Sequence, residues 1–295
     1  FLSVKRATIN ASARVKHAHT PANRPGEVML QDILPGHSGG SITPQTTYPA
    51  HIIFVDAYSR KPTLYGLTGI STTEVITANQ QYRADYGKVE ELGFFDVSKL
   101  KADAGKQFTS DEFKVYCRNE RIALSLAAPK KQYQNHFAER TWGTVKNIAR
   151  FMLCHARLPD SYYFHALIYA CEAFSVLPVK GLLNKDGNPA TPHELFTGEK
   201  PCISDFRVFG CPVVVKKYVA RIDGNATSNQ TQRGIRCIFI GFPRNQKGFL
   251  VFVPSTRQIV VSGDVVFDET FYCAIATTWR PFHDSLALRP INSSV

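Results

Sequence analysis

The 295-residue sequence contains no apolar run near the roughly 18 residues that a membrane-spanning helix needs, which excludes a helical integral membrane protein. Its seven cysteines include no C-x-x-C pair and none precedes Cys117, so the pattern disfavours a disulfide framework and a zinc module and indicates a reducing compartment. Phe1–Arg6 has neither Met nor a long apolar stretch. We therefore expect no signal peptide and an internal cut from a longer chain. A content of 44% hydrophobic and 20% charged residues excludes a wholly disordered or fibrous chain.

Acidic residues are absent from residues 1–26, which carry five Lys or Arg, and residues 206–257 carry nine Lys or Arg against one Asp. The intervening residues 27–205 hold 19 charges of each sign, so the net charge of +11 comes from the two flanking segments. Clustered Lys and Arg favour binding to a polyanion such as nucleic acid. The alternative is a basic surface that only keeps the protein in solution.

Hydrophobic periodicity divides the chain into two structured regions. Strand and helix patterns over residues 27–180 predict an α/β core with a mixed sheet, and short β-branched runs after residue 206 predict a small barrel of about five strands. The predicted divisions are a basic arm (1–26), a core (27–180), a linker (181–205), a small β domain (206–270) and a C-terminal tail (271–295).

Individual elements follow from the same patterns. Apolar residues spaced by three and four predict a long helix over residues 138–158. Thr109 with Glu112 forms a capping-box pattern that predicts a helix start, and residues 259–267 read as one strand.

Several enzyme classes lack their usual motifs here, since there is no G-x-S-x-G, P-loop, H-E-x-x-H or dinucleotide fingerprint. Carboxylates remain: Asp32 on the first predicted strand, Asp103 after a buried strand and Glu139 at the start of the long helix. The 35 residues between Asp103 and Glu139 are weak evidence alone, because 13 Asp and 11 Glu produce such offsets by chance. The flanking residues must decide.

Six stretches can be compared with known motifs. They are D-A-G-K-Q-F-T-S at 103–110, Q-N-H-F-A-E-R at 134–140, F-V-D-A-Y-S-R at 54–60, T-P-H-E-L-F-T-G-E-K-P at 191–201, F-R-V-F-G-C at 206–211 and V-S-G-D-V-V-F-D-E at 261–269. Together they resemble motifs of Ty1/copia-type retrotransposon integrases, and the resemblance extends over about residues 20–270.

This resemblance implies a ribonuclease-H-like mixed sheet with flanking helices, followed by an SH3-like barrel. It also implies a D,D-35-E triad of Asp32, Asp103 and Glu139 that binds two Mg²⁺ or Mn²⁺ ions, with Asp103 shared between them. Joining a 3′-hydroxyl to a phosphodiester suits two such ions about 3.5–4 Å apart, held by carboxylate oxygens. Asp56 is the alternative first carboxylate, although its place at a strand end favours a structural role.

The resemblance further implies double-stranded DNA as partner, both element ends and target, together with a homo-oligomer and a location in the nucleus or a cytoplasmic virus-like particle. Lys146 and Arg150 share a helix face with Glu139 by their spacing. The residues we expect to contact DNA are Lys130, Lys131, Tyr133, Gln134, Asn135, Lys146, Arg150, Lys216, Lys217, Arg233 and Arg236.

Four positions depart from the family motifs. Ala104, Lys106 and Gln107 replace its Asn, Gly and Glu, and His136 replaces a loop Gly. We therefore keep two hypotheses: an active integrase, and a decayed or domesticated copy that binds DNA without joining it. A stand-alone nuclease of the same fold would need neither the small β domain nor the glutamine-containing loop, so the sequence disfavours it.

Overall fold

A computed structural model describes residues 22–36, 42–43, 48–86, 97–126, 136–216 and 234–270. The strands are β1 (Val28–Pro35), β2 (Ala50–Asp56), β3 (Pro62–Leu67), β4 (Lys99–Ala102), β5 (Ala123–Leu126), β6 (Pro212–Lys216), β7 (Gly234–Gly241), β8 (Phe249–Val253), β9 (Gln258–Ser262) and β10 (Val265–Phe267). The α-helices are α1 (Thr72–Tyr86), α2 (Lys106–Thr109), α3 (Asp111–Asn119), α4 (His136–Ala156), α5 (Tyr163–Ser175) and α6 (Pro192–Thr197). Within these ranges, no helix combines the length and apolarity of a membrane span.

The described chain forms two compact units. The first contains Pro49–Thr144, Cys171–Ile203 and the described residues up to Gly36. The second contains Val145–Ala170, the described residues within His37–Tyr48 and those from Ser204 onward. This division falls inside α4 and inside α5. The domain boundaries drawn from the sequence stay a prediction.

A five-stranded mixed sheet in the order β3-β2-β1-β4-β5 organises the first unit. β2 pairs antiparallel with both β1 and β3. β4 pairs parallel with β1, and β5 pairs parallel with β4. On one face, α1 and α3 bury an aromatic core in which the Phe54 and Tyr82 rings stack at 4.8 Å. The predicted α/β class with a mixed sheet and flanking helices is confirmed.

Capping side chains set where the helices of this unit begin. Ser71 and Glu74 form a reciprocal capping box at α1, with Ser71 Oγ accepting from the Glu74 N–H and Glu74 Oε2 accepting from the Ser71 N–H. At α3 the cap is Ser110, whose Oγ accepts from the Phe113 N–H at 3.2 Å. The predicted cap at Thr109 is therefore wrong by one residue, because Thr109 ends the separate short helix α2.

The T-P-H-E-L-F-T-G stretch encodes both ends of α6. Thr191 caps its N-terminus by accepting from the Glu194 N–H at 3.0 Å, Pro192 occupies the first turn, and Gly198 ends it with a φ of +82°. Phe196 is buried and meets the Tyr86 ring edge-on at 5.3 Å. The motif thus fixes a short helix against α1.

The second unit contains an all-antiparallel sheet in the order β10-β6-β7-β8-β9, which is consistent with the predicted SH3-like domain. Gly263 and Asp264 interrupt the run predicted as one strand, so it forms β9 and β10. Tyr169 of α5 contacts the rings of Phe206, Phe209, Phe239 and Phe242. Its hydroxyl donates to the Arg207 carbonyl at 2.6 Å and accepts from the Arg207 N–H at 3.0 Å.

Candidate active site

The parallel pairing of β1 with β4 relates two of the three candidate carboxylates. Leu30 lies opposite Lys101, so continuing this register by two residues brings Asp32 level with Asp103, which directly follows β4. Met29 and Leu100 point into the aromatic core. Because side chains alternate along a strand, Asp32 and Asp103 share the opposite face of the sheet.

Asp103 is exposed and Asp32 is half-buried. The Asp103 Oδ1 accepts from the Gly105 N–H at 3.2 Å, a local turn that leads into α2. Two carboxylates at neighbouring positions are hard oxygen donors of the kind that Mg²⁺ and Mn²⁺ prefer.

Glu139 lies exposed in the first turn of α4, where a negative charge also interacts favourably with the helix dipole. Within the described ranges, no three His, Cys, Asp or Glu residues are close enough to hold one metal ion together. The strand register brings Asp32 and Asp103 to one face of the sheet. The metal-binding role of Asp32, Asp103 and Glu139 stays a prediction.

Asp56, the alternative first carboxylate, has a structural role. It is fully buried, and its oxygens accept from the Gly26 N–H at 2.8 Å, the Ser59 N–H at 2.7 Å and the Ser59 hydroxyl at 2.6 Å. Burial raises the pKa of this carboxyl, and the Ser59 and Gly26 hydrogen bonds oppose that rise. Asp56 thus fixes the β2–β3 turn to the segment before β1, and both of its carboxylate oxygens accept hydrogen bonds.

The predicted DNA contacts are only partly described. Arg150 is exposed on α4 and Lys146 is half-buried there. Lys216 and Arg236 are exposed on β6 and β7, and the pairing of Val214 with Arg236 puts both on one face of the small sheet. Lys130, Lys131, Tyr133, Gln134, Asn135, Lys217 and Arg233 lie outside the described residues.

Sequence analysis did not single out Lys99 and Lys101, which lie on β4 on the same face as Asp103. The K-x-K-x-D alternation at 99–103 carries that signal, because residues two apart on a strand share a face. Recognising it requires knowing that Leu100 and Ala102 are the buried pair.

Two buried histidines make stability depend on pH. Burial lowers the pKa of His51 on β2 and of His165 on α5 to about 4, from an ordinary 6.5. Both histidines therefore stay neutral in the folded protein. Their contribution to the free energy of unfolding is present above pH 6.5 and is lost as the pH falls towards 4.

As the pH falls from 6.5 to 4, the free energy of unfolding should decrease less in His165→Gln than in the wild type, by up to about 3 kcal/mol. One pKa unit corresponds to about 1.4 kcal/mol. Urea titrations at several pH values measure it, with His155→Gln as the exposed control. An unchanged slope for His165→Gln would contradict the assignment.

The small β domain resembles a domain of known proteins. Residues 218–277 match the family model described as "Retroviral polymerase SH3-like domain". The chain is 28% identical over 219 residues to the "Retrovirus-related Pol polyprotein from transposon TNT 1-94" of Nicotiana tabacum, covering 74% of this chain and 15% of that polyprotein. It is 24% identical over 294 residues to the corresponding RE1 polyprotein of Arabidopsis thaliana, covering 99% of this chain and 18% of the relative.

The chain is homologous to plant-transposon Pol polyproteins. It spans less than a fifth of their length. The resemblance to retrotransposon Pol polyproteins, inferred from the six sequence stretches, is thereby confirmed.

Solved integrase structures show limited overlap with this Pol homologue. The HTLV-2 integrase catalytic core in complex with magnesium gives a TM-score of 0.41 at 19% identity, covering 60% of this chain and 99% of that one. A chain from the structure of the simian T-cell lymphotropic virus intasome in complex with PP2A regulatory subunit B56 gamma gives a TM-score of 0.45 at 18% identity, covering 83% of this chain and 79% of that one.

Proposed function

We propose that this chain is the integrase part of a retrotransposon Pol polyprotein and joins the 3′-hydroxyl ends of element DNA to target DNA by phosphoryl transfer. The observation that carries the proposal is the β1–β4 register, which makes Asp32 and Asp103 neighbours on one sheet face. Homology to transposon Pol polyproteins supports the same reaction class.

Asp32, Asp103 and Glu139 would hold the divalent cations, Mg²⁺ or Mn²⁺. When bound, a pair of such ions activates the attacking hydroxyl and stabilises the leaving oxygen. The chain's own contribution is to fix the carboxylates. Asp32 stands in the middle of a strand that is paired on both sides, and Asp103 is held by the turn to Gly105.

Double-stranded DNA, from the element ends and from the target, is the proposed partner. Lys216 and Arg236 would contact its phosphates from one face of the small sheet, and Lys146 and Arg150 from α4. We also propose a homo-oligomer, acting in the nucleus or in a cytoplasmic virus-like particle, because two element ends must be joined to one target.

A joining assay tests the reaction. A labelled duplex with a free 3′-hydroxyl is incubated with a second duplex and the protein in Mg²⁺ or Mn²⁺, and the joined product is separated by size. We expect product that disappears with EDTA. A chain that binds duplex DNA but yields no product with either metal, even when longer Pol segments are added, contradicts the proposed reaction.

That outcome would favour the second candidate function, a catalytically decayed or domesticated copy that only binds DNA. Two observations support this candidate. Ala104, Lys106 and Gln107 replace the family's residues beside Asp103, and Glu139 belongs to no three-residue metal cluster in the described part of the chain.

Charge on the small sheet should determine much of the DNA affinity under either function. We expect Lys216→Gln with Arg236→Gln to weaken duplex binding and to lower the slope of log affinity against log salt by about 0.9 for each phosphate that is no longer neutralised. Lys247→Gln, an exposed change in the β7–β8 connection, is the matched control. Equal slopes for the double variant and the wild type would contradict a DNA contact at this face.

Point substitutions suit this test better than removing residues 206–270. The aromatic side chains of that segment cover Tyr169, so we expect its removal to expose apolar surface on α5 and to confuse weaker binding with failure to fold.

A further inference from the structure

Two lysines lie on the same face of β4 as Asp103. Leu100 and Ala102 are 2% and 1% exposed and belong to the aromatic core, so the alternation of the strand directs Lys99 and Lys101 to the other face. Both lysine side chains are half-buried. Lys99, Lys101 and Asp103 therefore form a row about 13 Å long, at about 3.3 Å per residue.

The neighbouring strand leaves this row accessible. In β5, Ala123 pairs with Lys99 and Ser125 pairs with Lys101, whereas Leu124 packs against the aromatic core. Ala123 is exposed, and neither Ala123 nor Ser125 is long enough to cover an adjacent lysine. β5 is the last strand of the sheet in the described part of the chain, and no other described strand covers the row from this side.

The electrostatics favour an anion here. Lys99 and Lys101 are two residues apart on one face of β4, so their side chains begin about 7 Å apart. A phosphate placed between the two ammonium groups would be attracted by both positive charges.

We propose that Lys99 and Lys101 bind the phosphate backbone of duplex DNA and position it along β4 towards Asp103. The row corresponds to the rise of about four nucleotides of one strand. This inference rests on the proposed function, because it assigns the DNA path of that same site. The inference adds two proposed DNA contacts, Lys99 and Lys101, and both lie on strand β4.

Lysine acetylation measured by mass spectrometry tests the contact on the unaltered chain. We expect duplex DNA, with EDTA present so that no reaction occurs, to slow the labelling of Lys99 and Lys101 severalfold. Lys114 is the internal control, because it lies on α3, whose Phe113 and Tyr116 pack on the opposite face of the sheet. Protection of Lys114 alone, or of none of the three while DNA is bound, would overturn the proposal.

Substitution gives a second measurement. Lys99→Gln with Lys101→Gln should lower the salt slope of duplex binding by about 1.8, while Lys99→Arg with Lys101→Arg should restore it, because arginine keeps the charge. Lys114→Gln should leave the slope unchanged. The arginine variant also shows whether any effect of the glutamine variant comes from misfolding of β4.

The outcomes separate the two proposals. A wild type that binds no duplex DNA at any salt concentration overturns both this inference and the proposed function. A wild type that binds DNA with a slope that the double glutamine variant retains overturns only the role of Lys99 and Lys101.

Discussion

Replacing Asp103 by asparagine should reduce strand joining at least about a thousandfold while leaving the fold and the duplex affinity nearly unchanged. Metal ions contribute several kcal/mol to such reactions, and about 4 kcal/mol corresponds to a factor of a thousand. Asparagine keeps the shape of aspartate, and its oxygen can still accept from the Gly105 N–H. Only the negative charge that would hold the cations is removed.

The matched control is Asp111→Asn, which removes an exposed carboxylate on α3 that pairs with Lys114. Joining, duplex affinity and the urea midpoint are measured for both variants. If the wild type joins DNA and Asp103→Asn does so at a comparable rate, Asp103 is not a metal ligand.

Glu139→Gln then asks whether the third carboxylate belongs to the site. A decrease equal to that of Asp103→Asn would place Glu139 in the working triad, since groups that act as a unit fail together. Full activity in Glu139→Gln would leave only Asp32 and Asp103 as candidate metal ligands.

Asp56→Asn should instead lower stability, because one acceptor oxygen facing Ser59 becomes an N–H₂ group.

Much of the first unit could be predicted because its patterns are local. The spacing of apolar residues predicted residues 138–158 as helix, and α4 spans His136–Ala156. The first predicted strand, which contains Asp32, is β1, Val28–Pro35. Each assignment needs only the spacing of apolar residues within the segment itself.

The rest depended on contacts between distant residues. Choosing Ser110 over Thr109 as a cap requires knowing that Thr109 closes α2, and the break at Gly263 appears only when β10 pairs with β6. The face shared by Asp32 and Asp103 follows from the parallel register of β1 and β4, whose residues lie about 70 positions apart. No local period contains that information.

The aromatic cluster around Tyr169 illustrates the same limit in the second unit. Tyr169 fits an amphipathic helix, but its hydrogen-bond partner Arg207 is 38 residues away. The F-R-V-F-G-C stretch looks like part of a strand, yet β6 begins only at Pro212. Instead, this stretch brings Phe206, Phe209 and Gly210 into contact with helices and strands whose positions cannot be predicted from the sequence.

Gly210→Ala should destabilise the second unit by about 3 kcal/mol. Gly210 has a φ of +79°, which costs an L-residue about 1–2 kcal/mol, and an added Cβ would lie 2.5 Å from the Ala156 Cβ and 2.7 Å from the Leu158 Cδ1. Overpacking of this kind typically costs about 1–3 kcal/mol. The Gly210 N–H also donates to the Phe239 carbonyl at 2.9 Å, so movement of the loop would disturb β7.

Two other glycines separate strain from overlap. Gly187 has the same φ of +79° with nothing within 4 Å, so Gly187→Ala should show the conformational cost alone. Gly263 has open space and no positive φ, so Gly263→Ala should be nearly neutral. Urea titration gives the free energies of unfolding, and hydrogen exchange at the Phe239 amide reports on β7.

A double-mutant cycle with Ala156→Gly tests the contact itself. Ala156→Gly alone should cost at most about 1 kcal/mol, the penalty of glycine in a helix, and less at the last residue of α4. Combined with Gly210→Ala it removes the nearer of the two atoms that the new methyl would strike, so the double variant should be more stable than the sum of the two single effects predicts. Strict additivity would mean that contact with the Ala156 Cβ is not what requires a glycine at this position of F-R-V-F-G-C.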